Sequence, residues 1–472
     1  MQKTLVMKFG GTSVGSLNAL ASVKQIIMEA KRDWDRIVVV TSAMSGVTNL
    51  LLDSAALAAQ GRTASLSTVE ATLRQRHFSA AESLIEDGPL LQSAQAEIDQ
   101  PILSLVDLCK AIAVLGEATP RALDAVASLG ERMILPLLTA IANSTGVRAV
   151  GVESTGLIVT NPHFQNAHPD FEATTERTRA VLNPLMEKGL LPITTGFIGA
   201  TPEGVITTLG RGGSDYSAAI IGSVLPADEV WIWTDVDGVM TADPRLVPAA
   251  RTLPEIQYNE IAELAYYGAK VLHPKTIRPA LDAGIELRIL NTFNPSHPGT
   301  HLVANQTGNG TVNGRVIKAV TAIRSQRLIT IEGRGMLGVP GVAARAFGAV
   351  ASTGTSVPLI TQASSEQSIC FAVPADAASI VTHALEKTFA FEIEEENIDR
   401  VWSTQEVSII TVVGAGMRHT PGVAGRIFSQ LGIAGVNVLA IAQGSSEVSI
   451  SLVVEAADTE NAVTSLHKLI VQ

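Results

Sequence analysis

The strongest constraint on the fold of this chain is an internal repeat in its last third. The segment GRGMLGVPGVAARAF begins at Gly333, and its counterpart GAGMRHTPGVAGRIF begins at Gly414. A second pair, TQASSEQSICFAV and AQGSSEVSISLVV, begins at Thr361 and Ala442, again 81 residues apart. Because matches that arise by chance would not keep one register, the repeat indicates a duplicated structural unit.

Each copy follows the order strand, glycine-containing turn, helix, strand, strand, helix. In the first copy these elements are predicted at Leu328–Glu332, Gly341–Ser352, Ser356–Gln362, Ser368–Val373 and Ala375–Lys387. A ferredoxin-like βαββαβ unit needs one more strand to complete its antiparallel sheet. The strand Val316–Ile323 lies just before the first copy, so we expect two interleaved units in which 316–323 completes the second copy.

Up to about residue 300, predicted strands alternate with predicted helices, which is typical of an α/β domain with a largely parallel sheet. The strands are Thr4–Phe9, Ile37–Ser42, Val147–Val152, Leu191–Phe197, Val205–Leu209, Glu229–Thr234 and Glu286–Asn291. The helices include Leu17–Lys31, Gly46–Ala59, Phe171–Lys188 and Ser214–Ser223, with a helical insertion over 67–128.

A Pro-, Gly- and Asn-rich segment, Asn294–Gly314, predicts a domain boundary. We therefore expect a first domain over 1–300, one repeat over 316–400 and the other over 401–472.

Composition and charge narrow the class of protein. Hydrophobic residues make up 46% and charged residues 17%, as in globular proteins. The net charge of −11 without a basic cluster argues against nucleic acid as a partner. We find neither a targeting segment nor an apolar run long enough to cross a membrane. The two cysteines, Cys109 and Cys370, suit a reducing cytoplasm.

Two glycine-rich turns next to a cation point to anion binding. In KFGGTSVG, Lys8 precedes Gly10 and Gly11 at the end of a strand. In TTLGRGGSDYSAA, Arg211 precedes a helix that opens with Ser214 and Asp215. Backbone N–H groups at such helix starts attract anions, although either motif taken singly could be only a tight turn. Together they predict that two anionic groups are brought to one place.

Further motifs follow in SLGERM (Ser128–Met133), EVWIWTDVDGVMTADPRLVP (Glu229–Pro248) and YYGAKVLHPKTIRPA (Tyr266–Ala280). The second resembles a calcium loop only superficially, because it lacks the third oxygen position before its glycine and also the closing glutamate. With SAMSGVTN and TGFIG, these motifs resemble, in order, those of aspartate kinases in the amino-acid kinase superfamily. The duplicated units resemble the paired ACT regulatory domains of that family, closest to its threonine-sensitive branch.

The resemblance implies an α/β amino-acid kinase fold followed by two ferredoxin-like ACT domains. It also implies an ATP-dependent phosphotransferase that phosphorylates the side-chain carboxylate of L-aspartate, the first step of lysine, threonine and methionine biosynthesis. The implied cofactors are ATP and Mg²⁺, and no protein ligand of the metal is assigned.

The resemblance also assigns roles to individual residues. Lys8 and Asp215 would be catalytic, and the substrate would be bound by Thr48, Glu131, Phe197, Arg211 and Ser214. The nucleotide would be bound by Lys8, Gly10, Gly11, Thr234, Asp235, Met240, Arg245, Lys270 and Val271. Met240 departs from the family pattern, which has an aromatic residue there, so the hydroxyl contact of a tyrosine would be absent.

Gln362 and Gln443 occupy matching places in the two repeats. A glutamine amide both donates and accepts hydrogen bonds, which suits an amino-acid effector, and a solvated turn residue is the alternative for either position. The resemblance implies threonine as the effector, with lysine or both left open. It further implies a homodimer or tetramer that forms through the ACT domains.

Three other interpretations remain. A related kinase could act on glutamate or N-acetylglutamate, but such kinases lack the duplicated tail. A non-catalytic amino-acid sensor would not need to retain Lys8, Arg211, Asp215 and Lys270. The native protein could also continue into a dehydrogenase, although this sequence has no glycine-rich dinucleotide motif after the repeats.

Overall fold

The computed structural model describes residues 3–266, 272, 274–303, 316–336, 339–362 and 367–471. The strands are β1 Thr4–Phe9, β2 Arg36–Thr41, β3 Ala149–Val152, β4 Leu191–Thr195, β5 Ile198–Ala200, β6 Ile206–Thr208, β7 Glu229–Thr234, β8 Glu255–Gln257, β9 Glu286–Asn291, β10 Thr300–Val303, β11 Ala319–Glu332, β12 Leu359–Gln362, β13 Ser368–Pro374, β14 Arg400–Ser403, β15 Val407–Val413, β16 Ala440–Gln443 and β17 Ser449–Glu455.

The helices are α1 Leu17–Asp33, α2 Val47–Ala59, α3 Leu66–Leu84, α4 Pro89–Leu115, α5 Pro120–Asn143, α6 Phe171–Glu187, α7 Gly213–Val224, α8 Tyr258–Tyr266, α9 Pro274–Asp282, α10 Val342–Ser352, α11 Ala378–Thr388, α12 Ala390–Glu394, α13 Val423–Ile433 and α14 Thr459–Val471. These elements form two units. The first contains Met1–Val239, Pro254–Ile256 and Leu272–Ala304, and the second contains Met240–Leu253, Gln257–Val271 and Asn305–Gln472.

The first unit is built on an eight-stranded sheet with the order β3-β4-β2-β1-β7-β9-β10-β8. Strand β1 lies in its middle, parallel to β2 on one side and to β7 on the other. Alternate side chains of β1, at Leu5, Met7 and Phe9, belong to one core cluster with helices α1–α5. Because strand side chains alternate between faces, Val6 and Lys8 point to the opposite face, where α7 contacts β1 and β7.

Helix α5 passes through the centre of this core. It is the one helix in the described part of the chain that is long and apolar enough to cross a membrane, yet 78% of that apolar stretch is buried inside the protein. Its buried side chains include Leu129, Met133 and Leu137, which pack in the same cluster as β1. Packing within the protein therefore accounts for its apolar character.

The second unit contains a sheet with the path β12-β13-β11-β15-β17-β16, and β14 pairs with β11 off this path. Strand β11 serves both repeats. Its first part, Ala319–Ile323, pairs with β15, and its last part pairs with β13 and β14. A register shift between Ile323 and Gln326 separates the two parts. Each repeat thereby obtains four strands, the second one through residues that precede the first.

The structure differs from the sequence expectation in several short elements. The segment Asn294–Gly314 was expected to be a boundary, yet it contains β10, which pairs with β9; residues 304–315 lie outside the described ones. Strands β8 and β14 were also not predicted, and α11 begins three residues later than expected. Pairing with a neighbouring strand outweighs local composition in such short elements.

The turn at Gly414, directly after β15, tests how closely the second repeat packs against the residues before β11. A side chain at Gly414 would overlap the carbonyl oxygen of Val316 and lie 2.9 Å from the Cα of Ile317. We expect Gly414→Ala to lower the free energy of unfolding by about 1–3 kcal/mol, the range for overpacking a filled site. Chemical denaturation followed by circular dichroism would measure the change.

The matched control is Gly425→Ala, within α13, where a Cβ atom would meet nothing within 4 Å. Because alanine favours helices over glycine by up to about 1 kcal/mol, this variant should be neutral or more stable. Equal destabilisation by the two substitutions would contradict the close approach at Gly414.

Candidate active site

The carboxyl ends of β1, β2, β4 and β7 meet at one edge of the parallel sheet, which is where ligands bind in open α/β sheets. A cavity of about 450 Å³ opens in the first unit. It is lined by Lys8, Ser42, Thr48, Leu52, Leu123, Asp124, Ala127, Glu131, Gln165, Phe197, Thr208, Gly210, Arg211, Gly212, Gly213, Ser214 and Asp215. The two residues predicted to be catalytic and the five predicted to bind substrate thus line one cavity.

Lys8 and Asp215 form an ion pair in this cavity, with 2.6 Å between Nζ and Oδ1. Lys8 comes from the end of β1, and Asp215 from the first turn of α7. Both side chains are largely buried, at 10% and 14% exposed. A carboxylate in the first turn of a helix is stabilised by the helix dipole, so Asp215 is held both by α7 and by Lys8.

The turn before α7 is shaped by glycines. Gly210 and Gly212 have φ values of +79° and +72°, which residues other than glycine rarely adopt. A Cβ atom on Gly213 would lie 2.6 Å from the ring of Phe197, so the ring rests directly on this backbone. Arg211 is exposed at the turn and forms no ion pair with any described residue. Its guanidinium group is therefore available to an anion.

Glu131 is the buried carboxylate of the site, at 3% exposed. Its Oε1 accepts a hydrogen bond of 3.1 Å from the backbone N–H of Ala43. Its Oε2 is buried and accepts no hydrogen bond from the described residues. Burial raises the pKa of Glu131 to about 8. A carboxylate with an unsatisfied buried oxygen in a cavity is a binding position for a cation.

Asp124 is a cavity residue that the sequence did not reveal. It is buried, and it accepts hydrogen bonds from the N–H groups of Gln165 and Thr208 and from the Thr208 hydroxyl. It thereby fixes the loop at Gln165, whose φ is +68°, beside the strand that leads to Arg211. The available signal was its spacing of seven residues from Glu131, which places both carboxylates on one face of α5.

The turn Gly10–Gly11 lies close to Lys8 and to the end of β7. A Cβ atom on Gly10 would lie 3.3 Å from Lys8 Nζ and 3.4 Å from the carbonyl oxygen of Trp233, and one on Gly11 would lie 3.0 Å from the carbonyl oxygen of Ala43. The N–H of Gly10 donates to Trp233. A side chain at either position would therefore crowd Lys8 Nζ or these backbone carbonyls, which explains the two adjacent glycines.

The residues predicted to bind nucleotide fall in different parts of the chain. Thr234 ends β7 in the first unit, and its hydroxyl donates to the side chain of Asp235, the next residue. Met240 and Arg245 belong to the second unit, where the Thr252 hydroxyl donates to Met240 Sδ and Arg245 pairs with Asp243 at 2.6 Å. The predictions for Lys270 and Val271 fall outside the described residues.

The second repeat contains a cavity of about 360 Å³. It is lined by Met417, His419, Thr420, Pro421, Gly422, Val423, Ala424, Gln443, Glu447 and Ile450. Gln443, at the end of β16, is one of these lining residues. Gln362 ends β12 in the first repeat, but 337–338 and 363–366 around it lie outside the described residues.

Comparison with known proteins agrees with this arrangement. The family model "Amino acid kinase family" matches residues 3–291, and the ACT domain model matches 329–389 and 410–469. The bifunctional aspartokinase/homoserine dehydrogenase 2 of Arabidopsis thaliana is 37% identical over 98% of this chain. The chain spans 50% of the length of that relative.

Solved structures identify the family within this superfamily. E. coli aspartokinase III in complex with aspartate and ADP is 31% identical, has a TM-score of 0.81 and covers 100% of both chains. The chain belongs to the aspartokinase family. The same E. coli enzyme in complex with lysine and aspartate is 32% identical with a TM-score of 0.79, and it covers 99% of this chain and 100% of its own. The α/β fold with two ACT domains predicted from the sequence is confirmed by these matches.

The raised pKa of Glu131 makes a prediction about stability in the absence of ligands. The folded state retains the Glu131 proton up to about pH 8, whereas the unfolded chain releases it near its ordinary pKa of about 4.5. The stability gained by burying the neutral carboxyl is present below the unfolded pKa and is lost as the pH rises through the folded pKa. Glu131→Gln should therefore gain in melting temperature relative to the parent protein between about pH 5 and 8.5.

Thermal unfolding at the two pH values would measure this gain. Glu29→Gln on α1 makes the same chemical change on an exposed surface and should show no such trend. If the melting temperatures of Glu131→Gln and the parent differed by the same amount at every pH, Glu131 would already be ionised in the free protein.

Proposed function

We propose that this chain is an aspartate kinase that transfers the γ-phosphoryl group of ATP to the side-chain carboxylate of L-aspartate. A carboxylate oxygen attacks the γ-phosphorus, the bond from that phosphorus to the bridging β–γ oxygen breaks, and its electron pair leaves with ADP. The product is 4-phospho-L-aspartate. The E. coli relative with bound aspartate and ADP supports this assignment.

The observation that carries the proposal is the charge pattern of the cavity. Three carboxylates and the cations Lys8 and Arg211 line it. Asp124 is satisfied by hydrogen bonds and Asp215 is paired with Lys8, which leaves Glu131 as the carboxylate with an unsatisfied oxygen. Aspartate has one ammonium for this oxygen and two carboxylates for the cations. N-acetylglutamate would place a neutral amide where Glu131 offers a charge, which favours a free amino acid.

We assign the binding of the substrate ammonium to the unsatisfied oxygen of Glu131. Arg211 would hold a carboxylate with two parallel N–H donors, together with Ser214 and the hydroxyl of Thr48, and Phe197 would form the wall of the pocket. An aspartate side chain is already ionised at neutral pH. The reaction therefore needs orientation and charge neutralisation more than a general base.

Lys8 would neutralise charge on the transferred phosphoryl group, while Asp215 fixes the position of its ammonium. Gly10 and Gly11 would let the backbone approach the phosphates beside Lys8. Mg²⁺ would enter with ATP, held largely by phosphate oxygens and water, and would supply further charge neutralisation. The described residues include no group of three or more acidic, His or Cys side chains that could hold a metal ion.

We assign Thr234, Asp235, Met240, Arg245, Lys270 and Val271 to the nucleotide on the basis of the family resemblance. We propose that residues 1–300 form the catalytic domain and that residues 316–400 and 401–472 form the two regulatory repeats. Gln362 and Gln443 would bind an amino-acid effector, which we propose to be threonine. The lysine complex of the E. coli relative keeps lysine as the second candidate. We further propose a cytoplasmic protein that forms a homodimer or tetramer through its ACT domains.

The decisive experiment measures ADP release with MgATP and L-aspartate, with L-glutamate as the control substrate. We expect turnover with aspartate, little with glutamate, and inhibition by threonine or lysine. Turnover with glutamate alone would indicate a different amino-acid kinase. Absence of turnover with threonine still bound would indicate an amino-acid sensor.

Glu131→Gln should weaken aspartate binding specifically. Replacing an ion pair by a neutral contact should raise the KM for aspartate by about 10- to 100-fold, the value of a charge-assisted hydrogen bond. In the parent enzyme that KM should fall as the pH rises from about 6 to 8.5, because ionised Glu131 binds the ammonium better. Glu131→Gln should lose this pH dependence while the KM for MgATP stays unchanged.

Initial rates at several pH values would measure both constants, with Glu29→Gln as the control. If the pH dependence of the aspartate KM persisted in Glu131→Gln, another group would bind the ammonium.

A further inference from the structure

A buried ion pair in the second unit has no part in the reaction proposed above. Glu260, on α8, is 0% exposed, and its Oε2 lies 2.7 Å from Nζ of Lys318, which is 6% exposed. Lys318 comes immediately before β11, at the start of the strand that completes the second repeat. The pair therefore joins α8 to the frame of that repeat.

Glu260 also contacts the turn that forms the effector cavity. Its Oε1 accepts a hydrogen bond of 2.7 Å from the backbone N–H of Ala415. Ala415 opens a short 3-10 turn that ends at Met417, one of the cavity residues. One turn further along α8, Glu263 accepts a hydrogen bond of 2.8 Å from the hydroxyl of Ser449, next to Ile450 of the same cavity. One face of α8 is thus bonded to two sides of the cavity.

The first repeat shows that the fold itself does not require this pair. The N–H of Lys318 donates to the carbonyl of Val413, and the N–H of Asp399 donates to the carbonyl of Glu332. The two donors are 81 residues apart, and so are the two acceptors, so the bonds occupy matching places in the two repeats. The backbone frame is therefore the same in both repeats. Asp399, however, is exposed, whereas Lys318 is buried against a carboxylate.

A buried pair of opposite charges seldom adds stability over apolar side chains of the same size, because both ions lose their hydration. It does impose a defined geometry, since a shift of either partner leaves a buried charge unpaired. The segment after α8 leads within four residues to Lys270, which we have assigned to the nucleotide.

We propose that Glu260 is a positioning residue that transmits occupancy of the effector cavity of the second repeat to α8. This inference rests on the proposed function, because it takes the Gln443 cavity as an effector site. An amino acid bound between Met417 and Gln443 shifts the turn at Ala415. Glu260 follows Ala415 and Lys318, and α8 moves with it.

The test removes the charges together, because a single substitution would leave a buried charge unpaired and could unfold the protein. The variant is Glu260→Gln with Lys318→Met in the full chain. Asp399→Asn, at the place in the first repeat that matches Lys318, is the control. Threonine and lysine are each tested as effector, with calorimetry for the Kd and aspartate-dependent ADP release for inhibition.

We expect the double variant to keep its uninhibited rate and its effector Kd, while the effector concentration for half-inhibition rises about tenfold, a common size of allosteric coupling. Asp399→Asn should behave like the parent protein. Unchanged inhibition in the double variant would overturn the proposal, as would a parallel loss of binding, which would mean that Glu260 only shapes the cavity.

Hydrogen exchange of the amides over 257–266 gives a readout that does not depend on activity. Effector should slow this exchange in the parent protein and leave it unchanged in the double variant. If the parent shows no activity with aspartate, the proposed function fails, and the exchange result alone decides the role of Glu260. If neither threonine nor lysine binds, the inference is overturned.

Discussion

The register of β1 is the constraint on which the candidate active site depends. This strand is paired on both sides, with Lys8 opposite Val40 of β2 and Ile232 of β7. A slip by one residue would turn Lys8 toward helices α1–α5 and Phe9 toward α7. Since Leu5, Met7 and Phe9 are anchored in the apolar core, the packing of hydrophobic side chains sets the direction of Lys8, which reaches Asp215.

The site also shows how an acidic protein can bind anions. The chain has a net charge of −11, so its long-range field repels nucleotides and dicarboxylates. The attraction must come from short range, where low exposure strengthens each interaction. Lys8 is held in place by Asp215, Arg211 is unpaired among the described residues, and burial raises the pKa of Glu131, whose ionised form a bound cation would favour. The cavity thus presents local charges of both signs.

The sequence was informative where a residue type has few alternative explanations. Two glycine turns with adjacent cations predicted that Lys8 and Arg211 would meet, and the 81-residue repeat predicted two similar units. Asp124 was not predicted, because a single aspartate on a helix looks like a solvated residue until its hydrogen-bond partners are known. Strand β14 was not predicted, because Arg400–Ser403 becomes a strand only through pairing with β11. The buried pair Glu260–Lys318 joins residues 58 apart that no local pattern connects.

The division of β11 between the two repeats has a consequence for the order in which the chain can fold. The first repeat takes all four of its strands from one continuous stretch, so it can close as soon as that stretch exists. The second must pair Ala319 with Val413, across the entire first repeat. Loop closure over that span is entropically costly unless the intervening residues are already compact. Early formation of the first repeat would therefore act as an internal template, which brings the two distant strands of the second within reach.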